Sequence, residues 1–173
     1  MNKVKKIILL FLAAFTVSSA VSVFAMTRPV SLSDYDGSML KEAASSQLGE
    51  EGGEKYWRWC GFDSRVDWCA CFISWCLDQC YDGCPKMVSC AELLQWLKVM
   101  NMWYGSDITP SPGMIVFFDG DGNHRPEHVG IVDCLKDGRV YVIEGNSKDR
   151  CALNSYSLSS PIIYGYGAVC PEA

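Results

Sequence analysis

Ten cysteines and only two histidines occur in this 173-residue sequence, and one of each stands where thiol chemistry can be built. Cys69 follows Asp67 and Trp68 and opens a stretch of helical pattern through Phe72, Ile73, Trp75, Cys76 and Leu77. With Asp67 as the N-cap, Cys69 falls in the first turn, where the helix dipole and unpaired N–H groups stabilise a thiolate. Cys71 and Cys76 lie further along and lack that advantage. A thiol nucleophile also needs a base, and histidine is the usual partner. His128 begins a strand-like run, H-V-G-I-V-D-C over residues 128–134, from which a rigid backbone can aim the ring, whereas His124 sits in the loop D-G-D-G-N-H. The turn Lys136-Asp137-Gly138 folds residues 139–144 (R-V-Y-V-I-E) back onto that run as a hairpin. Pairing then brings His128 opposite the neighbourhood of Glu144 to Asn146. A carboxylate or amide there can accept from the imidazole N–H and fix its tautomer and orientation. The chemistry implied is attack by a Cys69 thiolate on a carbonyl carbon, with His128 moving the proton.

Each residue also has a plainer reading. Exported cysteines pair by default, a lone strand histidine is commonly structural, and a glutamate at a strand end is commonly solvated. Parity decides nothing: if one of ten thiols stays free, nine remain, so at least one more is unpaired or bonded elsewhere. No C-x-x-C pair occurs, and only His124 and His128 could add imidazoles, so zinc is not expected. The stretch Asp119-Gly120-Asp121-Gly122-Asn123 looks like a calcium loop yet lacks the later glutamate of an EF-hand, and is read as an acidic turn. No metal or cofactor is expected. Trp57, Trp59 and Trp68 fit a substrate groove and a packed core equally well.

The elements that must position these groups are legible in outline. Residues 34–48 carry a helical pattern with Ser33, Asp34 or Asp36 as caps, and E-E-G-G-E at 50–54 ends it in a loop. A second helix begins near Asp67, and a third covers residues 90–99. After Pro110-Ser111-Pro112-Gly113 the period changes: M-I-V-F-F at 114–118 is a short apolar strand, the 128–144 hairpin follows, and residues 162–169 supply a last strand. Helices first and antiparallel strands second make an α+β domain.

The segment Trp68-Cys69-Ala70-Cys71-Phe72-Ile73-Ser74-Trp75-Cys76 resembles the nucleophile helix of CHAP domains, the cysteine, histidine-dependent amidohydrolase/peptidases. The order continues with Pro112-Gly113 before an apolar strand, then His128-Val129-Gly130-Ile131-Val132, then Ile143-Glu144-Gly145-Asn146, across residues 40–169. The resemblance implies a papain-like α+β fold and hydrolysis of an amide bond in bacterial peptidoglycan, by N-acetylmuramoyl-L-alanine amidase or stem-peptide endopeptidase action. It implies that Cys69 attacks, His128 shuttles the proton, Glu144 orients the imidazole, and Asn146 is the polar residue that accompanies it. The backbone N–H of Cys69 is available to an oxyanion. Many papain-like enzymes use a Gln six residues before the nucleophile; Asp63 stands there in this chain, so that role is not carried over.

Lys3, Lys5 and Lys6, an apolar run from Ile7 to Phe15, and Val23-Phe24-Ala25 read as a secretory signal over residues 1–25 with cleavage before Met26. Its removal leaves one domain at 26–173, 148 residues with 12 basic against 20 acidic side chains, or −8. No basic stripe is present, so nucleic acid and anionic membranes are not expected partners. The expectation is a monomer, secreted or at the bacterial cell surface, with peptidoglycan as substrate. Two alternatives remain: a non-catalytic, disulfide-stapled secreted module on the same fold, and a papain-like enzyme acting on a different amide.

Overall fold

The computed structural model describes residues 31–170; the signal segment expected at 1–25 lies outside the described residues. Four helices come first: α1 (Ser38–Ser45), α2 (Glu54–Trp59), α3 (Cys69–Cys80) and α4 (Cys90–Val99). The expected helix at 34–48 shortens to α1. Asp36 caps it from two residues outside, accepting the Ser38 N–H at 2.9 Å. The aromatic run after the glycine pair turns out to be α2, which starts after Gly53 in the left-handed conformation (φ 60°). The start of α3 also differs from expectation. Trp68, not Asp67, is its N-cap, and no side chain caps it. Asp67 instead accepts a hydrogen bond from the Asn146 amide at 3.1 Å. Cys69 is thereby the first helical residue, still in the first turn. At α4 the local signal is complete: Ser89 accepts from the Glu92 N–H, and the Glu92 carboxylate accepts from the N–H groups of Val88 and Ser89.

Six strands follow: β1 (Trp103–Gly105), β2 (Ile115–Phe118), β3 (His128–Lys136), β4 (Arg139–Ser147), β5 (Arg150–Ser157) and β6 (Ile163–Gly167). They form one sheet in the order β1-β6-β2-β3-β4-β5, with every neighbouring pair antiparallel. Neither β1 nor β5 is among the strands expected from the sequence. The β3–β4 hairpin forms at the expected place, and Asp137 and Gly138 both take positive φ (51° and 71°), as a type I′ turn requires.

Side-chain alternation along the strands divides the core. Ile115, Phe117, Val129, Ile131 and Ile143 pack with the helices, while Met114, Val116, Phe118, Val132 and Val142 form a second cluster. α3 is apolar around most of its circumference because α1, α2, β3 and β4 all pack against it. Gly145 permits the close approach to β4: a Cβ there would lie 2.6 Å from Phe72 Cβ. Among the described residues no helix is long and apolar enough to cross a membrane.

Candidate active site

The N-terminus of α3 is held by aromatic packing in place of a side-chain cap. The Trp68 ring is fully buried, stacks on Tyr56 at 5.3 Å, and donates from Nε1 to Asp149 at 3.3 Å. It also occupies the space a side chain on Gly53 would need, since a Cβ there would come within 2.2 Å of the indole. Trp68 is therefore core, and so is Trp57, while Trp59 is half-buried beneath the Lys86 ammonium. With Trp68 immobile, Cys69 enters the helix in one orientation. Its thiol faces a cavity of about 300 Å³ lined by Asp67, Cys69, Ser89, Cys90, Pro126 and Glu127.

Three of the four residues expected at the site converge. His128, at the start of β3, places Nε2 2.9 Å from Glu144 Oε2 on β4, leaving Nδ1 as the nitrogen that serves the thiol. Its ring lies against Phe118 at 5.9 Å, and Phe118 in turn packs on Tyr156 at 4.6 Å. Gly130 makes room for the link between strands: a Cβ there would lie 2.9 Å from Glu144 Cγ and 2.4 Å from Val142 Cγ1. Asn146 follows Glu144 in a β4 irregularity, at φ 59°, and its amide goes to Asp67 on the cavity wall. The structure thus places Asn146 at the cavity's edge, bonded to Asp67.

Two site residues had escaped the sequence reading. Glu144 is 2% exposed, and both of its oxygens are held: Oε2 also accepts from Asn154 Nδ2 at 3.0 Å, and Oε1 accepts from the Tyr156 hydroxyl at 2.8 Å. Both donors project from β5, two residues apart, onto the same face. Their period-two spacing was the available signal, hidden because β5 has few apolar residues. Three donors hold this buried carboxylate, and Oε2 faces the imidazole.

The thiol and imidazole perturb one another strongly. Cys69 drops from 9.0 to about 5: a hydrogen bond from the Cys90 thiol is the main cause, burial opposes it, and His128 and the Ala70 N–H add to the lowering. His128 rises from 6.5 to about 10, because interactions with Cys69 and Glu144 overcome the downward pull of burial. The result is a thiolate–imidazolium pair. Cys90 Sγ lies 3.9 Å from Cys69 Sγ, and its own thiol is pushed well up by that contact, by burial and by nearby Glu127. The thiolate therefore belongs on Cys69, which alone has the imidazole beside it.

Cys71 and Cys76 lack this activation: contact with Cys60 and burial raise the pKa of Cys71, and burial raises that of Cys76. His124 takes positive φ (63°) in the acidic loop, where its backbone N–H donates to Asp119. In that loop Asp119, Asp121 and Glu127 bring carboxylate oxygens within 4.8 Å of one another. The loop's own N–H groups already occupy them: Gly122, Asn123 and His124 donate to Asp119, and Gly120 donates to Glu127.

The fold and site have counterparts among known proteins. No curated protein sequence matches the chain. A solved structure described as "The crystal structure of Ly7917" has a TM-score of 0.52 at 16% identity, covering 76% of this chain. The chain spans 61% of that structure's length, and the likeness bears on the fold, which is papain-like α+β. Residues 61–146, from the end of α2 to Asn146, match the family model of the CHAP domain. This match places residues 61–146 in the CHAP domain family of amidases and peptidases.

Proposed function

We propose that the protein is a secreted or cell-surface peptidoglycan hydrolase that cleaves an amide bond through a Cys69 thioester intermediate. The observation that carries the reading is the alignment Cys69–His128–Glu144, with Nε2 committed to a buried, triply bonded carboxylate and the thiol's pKa depressed. The Cys69 thiolate attacks the carbonyl carbon, and the oxyanion meets the Cys69 backbone N–H at the start of α3. The His128 imidazolium gives its proton to the departing amine nitrogen, leaving a thioester. The now neutral imidazole takes a proton from an incoming water, whose oxygen releases the acyl group and restores the thiolate. Glu144 keeps one tautomer throughout and stabilises the imidazolium. Asn146 contributes by holding Asp67 at the cavity wall. The same machinery serves an N-acetylmuramoyl-L-alanine amidase or a stem-peptide endopeptidase.

The test is digestion of purified sacculi followed by mass spectrometry of the released fragments. New amine termini at the lactyl–alanine junction identify an amidase, and new termini within the stem peptide identify an endopeptidase. Absence of both counts against the proposal. The proximity of Cys69 to Cys90 is what a non-catalytic disulfide-stapled module would exploit; in that case the protein leaves sacculi intact under reducing conditions.

A further inference from the structure

The mechanism uses one thiol, yet two face the same cavity. Cys69 and Cys90 are each the first residue of a helix, α3 and α4, and the two helix starts converge so that the sulfurs stand 3.9 Å apart. The place of Cys90 is fixed from both sides. Behind it, Ser89 and Glu92 form the reciprocal cap of α4. Ahead of it, buried Ser74 of α3 grips the Met87 backbone twice, donating to its carbonyl at 2.6 Å and accepting from its N–H at 2.9 Å. The nucleophile's own helix therefore positions the second cysteine.

We propose that Cys69 and Cys90 are a thiol-modification site, closing into a disulfide by exchange with a small-molecule or protein disulfide and so converting the enzyme to a latent form. This rests on the reading of Cys69 as the nucleophile. The Cys69 thiolate attacks one sulfur of the incoming disulfide and forms a mixed disulfide, releasing the first thiolate. Cys90 then loses its proton and attacks Cys69 Sγ, expelling the second thiolate. The two protein thiols are oxidised by two electrons, and the incoming disulfide is reduced to two thiols. An S–S bond of about 2 Å requires the sulfurs, now 3.9 Å apart, to close by about 2 Å. The division of labour suits exchange chemistry: the thiol with the lowered pKa attacks first, and its neighbour resolves. Once bonded, the Cys69 sulfur has no thiolate charge with which to attack a carbonyl, and His128 keeps Glu144 but loses its thiolate partner. A reducing dithiol reverses both steps.

The experiment treats the purified protein with oxidised glutathione, blocks remaining thiols with iodoacetamide under denaturing conditions, and maps the peptides by mass spectrometry. The expected result is a peptide carrying Cys69 linked to one carrying Cys90, with loss of Cys69 alkylation and its return after dithiothreitol. In Cys90→Ser the reaction should stop one step earlier, with glutathione on Cys69. A wild-type protein whose Cys69 keeps glutathione unresolved, stays reduced, or pairs with another cysteine such as Cys60 or Cys71 overturns the proposal. Because the readout is mass, it is separate from the hydrolase assignment: a Cys69–Cys90 bond in a protein that leaves sacculi intact when reduced refutes the hydrolase reading alone.

Discussion

Glu144→Gln preserves the shape of the site and removes the charge behind His128. The amide can be seated without loss of a partner. Its oxygen accepts from His128 Nε2 and Asn154, where Oε2 does now, and its NH2 group faces the Tyr156 hydroxyl, which can turn to accept. What disappears is the charge in a 2.9 Å contact. The difference between charge-assisted and neutral hydrogen bonds puts the loss at about 1–2 kcal/mol. Two unit charges about 4 Å apart at an effective dielectric constant of about 20 put it at about 4 kcal/mol. At about 1.4 kcal/mol per pKa unit, His128 should fall by about 1–3 units from its value of about 10. The variant's acid limb, set by Cys69, stays near pH 5 while its alkaline limb moves down. Hydrolysis at pH 9 relative to pH 6 should therefore drop by about 2-fold for a one-unit fall and about 80-fold for a three-unit fall, from the same pKa arithmetic. The assay is the rate of amine release across pH, paired with NMR titration of the imidazoles, simplified because His124 and His128 are the only two. A His128 titration that does not move in the variant would mean that the Glu144 carboxylate does not sustain the imidazolium.

In the wild-type protein, activity should follow a bell. Cys69 lies below its ordinary value, so the ion pair is lost as pH falls through about 5; His128 lies above its ordinary value, so the pair is lost as pH rises through about 10. A rate that still climbs beyond pH 10 would contradict the assignment of the imidazolium as proton donor. Cys69→Ala and His128→Ala should each lower the rate by several orders of magnitude, and the double variant should lose little more, because the two act as a unit; additive losses measured on folded variants would argue against a shared mechanism. Gly145→Ala forces a Cβ to within 2.6 Å of Phe72 Cβ and should cost about 1–3 kcal/mol. Differential scanning calorimetry should show a Tm several degrees lower, and an unchanged Tm would mean that α3 and β4 are not packed as described.

The parts of this molecule that were legible from sequence are those with short-range, physically distinct signals. The start of α4 carries a reciprocal capping pair at Ser89 and Glu92, and the helix falls at residues 90–99 as read. The β3–β4 hairpin was marked by Asp137-Gly138, and its register follows from that turn, which is why His128 and Glu144 could be joined across sixteen residues. What was hidden depends on tertiary contact. Nothing local makes Trp68 an N-cap; it holds that place because Gly53 and Tyr56 shape a slot for its ring, and this frees Asp67 to accept from Asn146. β5 lacks an apolar alternation because its inward residues, Asn154 and Tyr156, are chosen to solvate a buried carboxylate. The glycines at 130 and 145 are interpretable only with Glu144 and Phe72 in view. The contact between Cys69 and Cys90 joins two helix starts 21 residues apart, and no spacing rule relates them.

The proposed hydrolysis depends on one thiol of ten, Cys69. Its most direct test is the initial rate of amine release from purified sacculi, measured under reducing conditions for the wild-type protein and for Cys69→Ala, with circular dichroism confirming that both are folded. The expected result is release by the wild type and a loss of several orders of magnitude in Cys69→Ala. Comparable release by folded Cys69→Ala would contradict it.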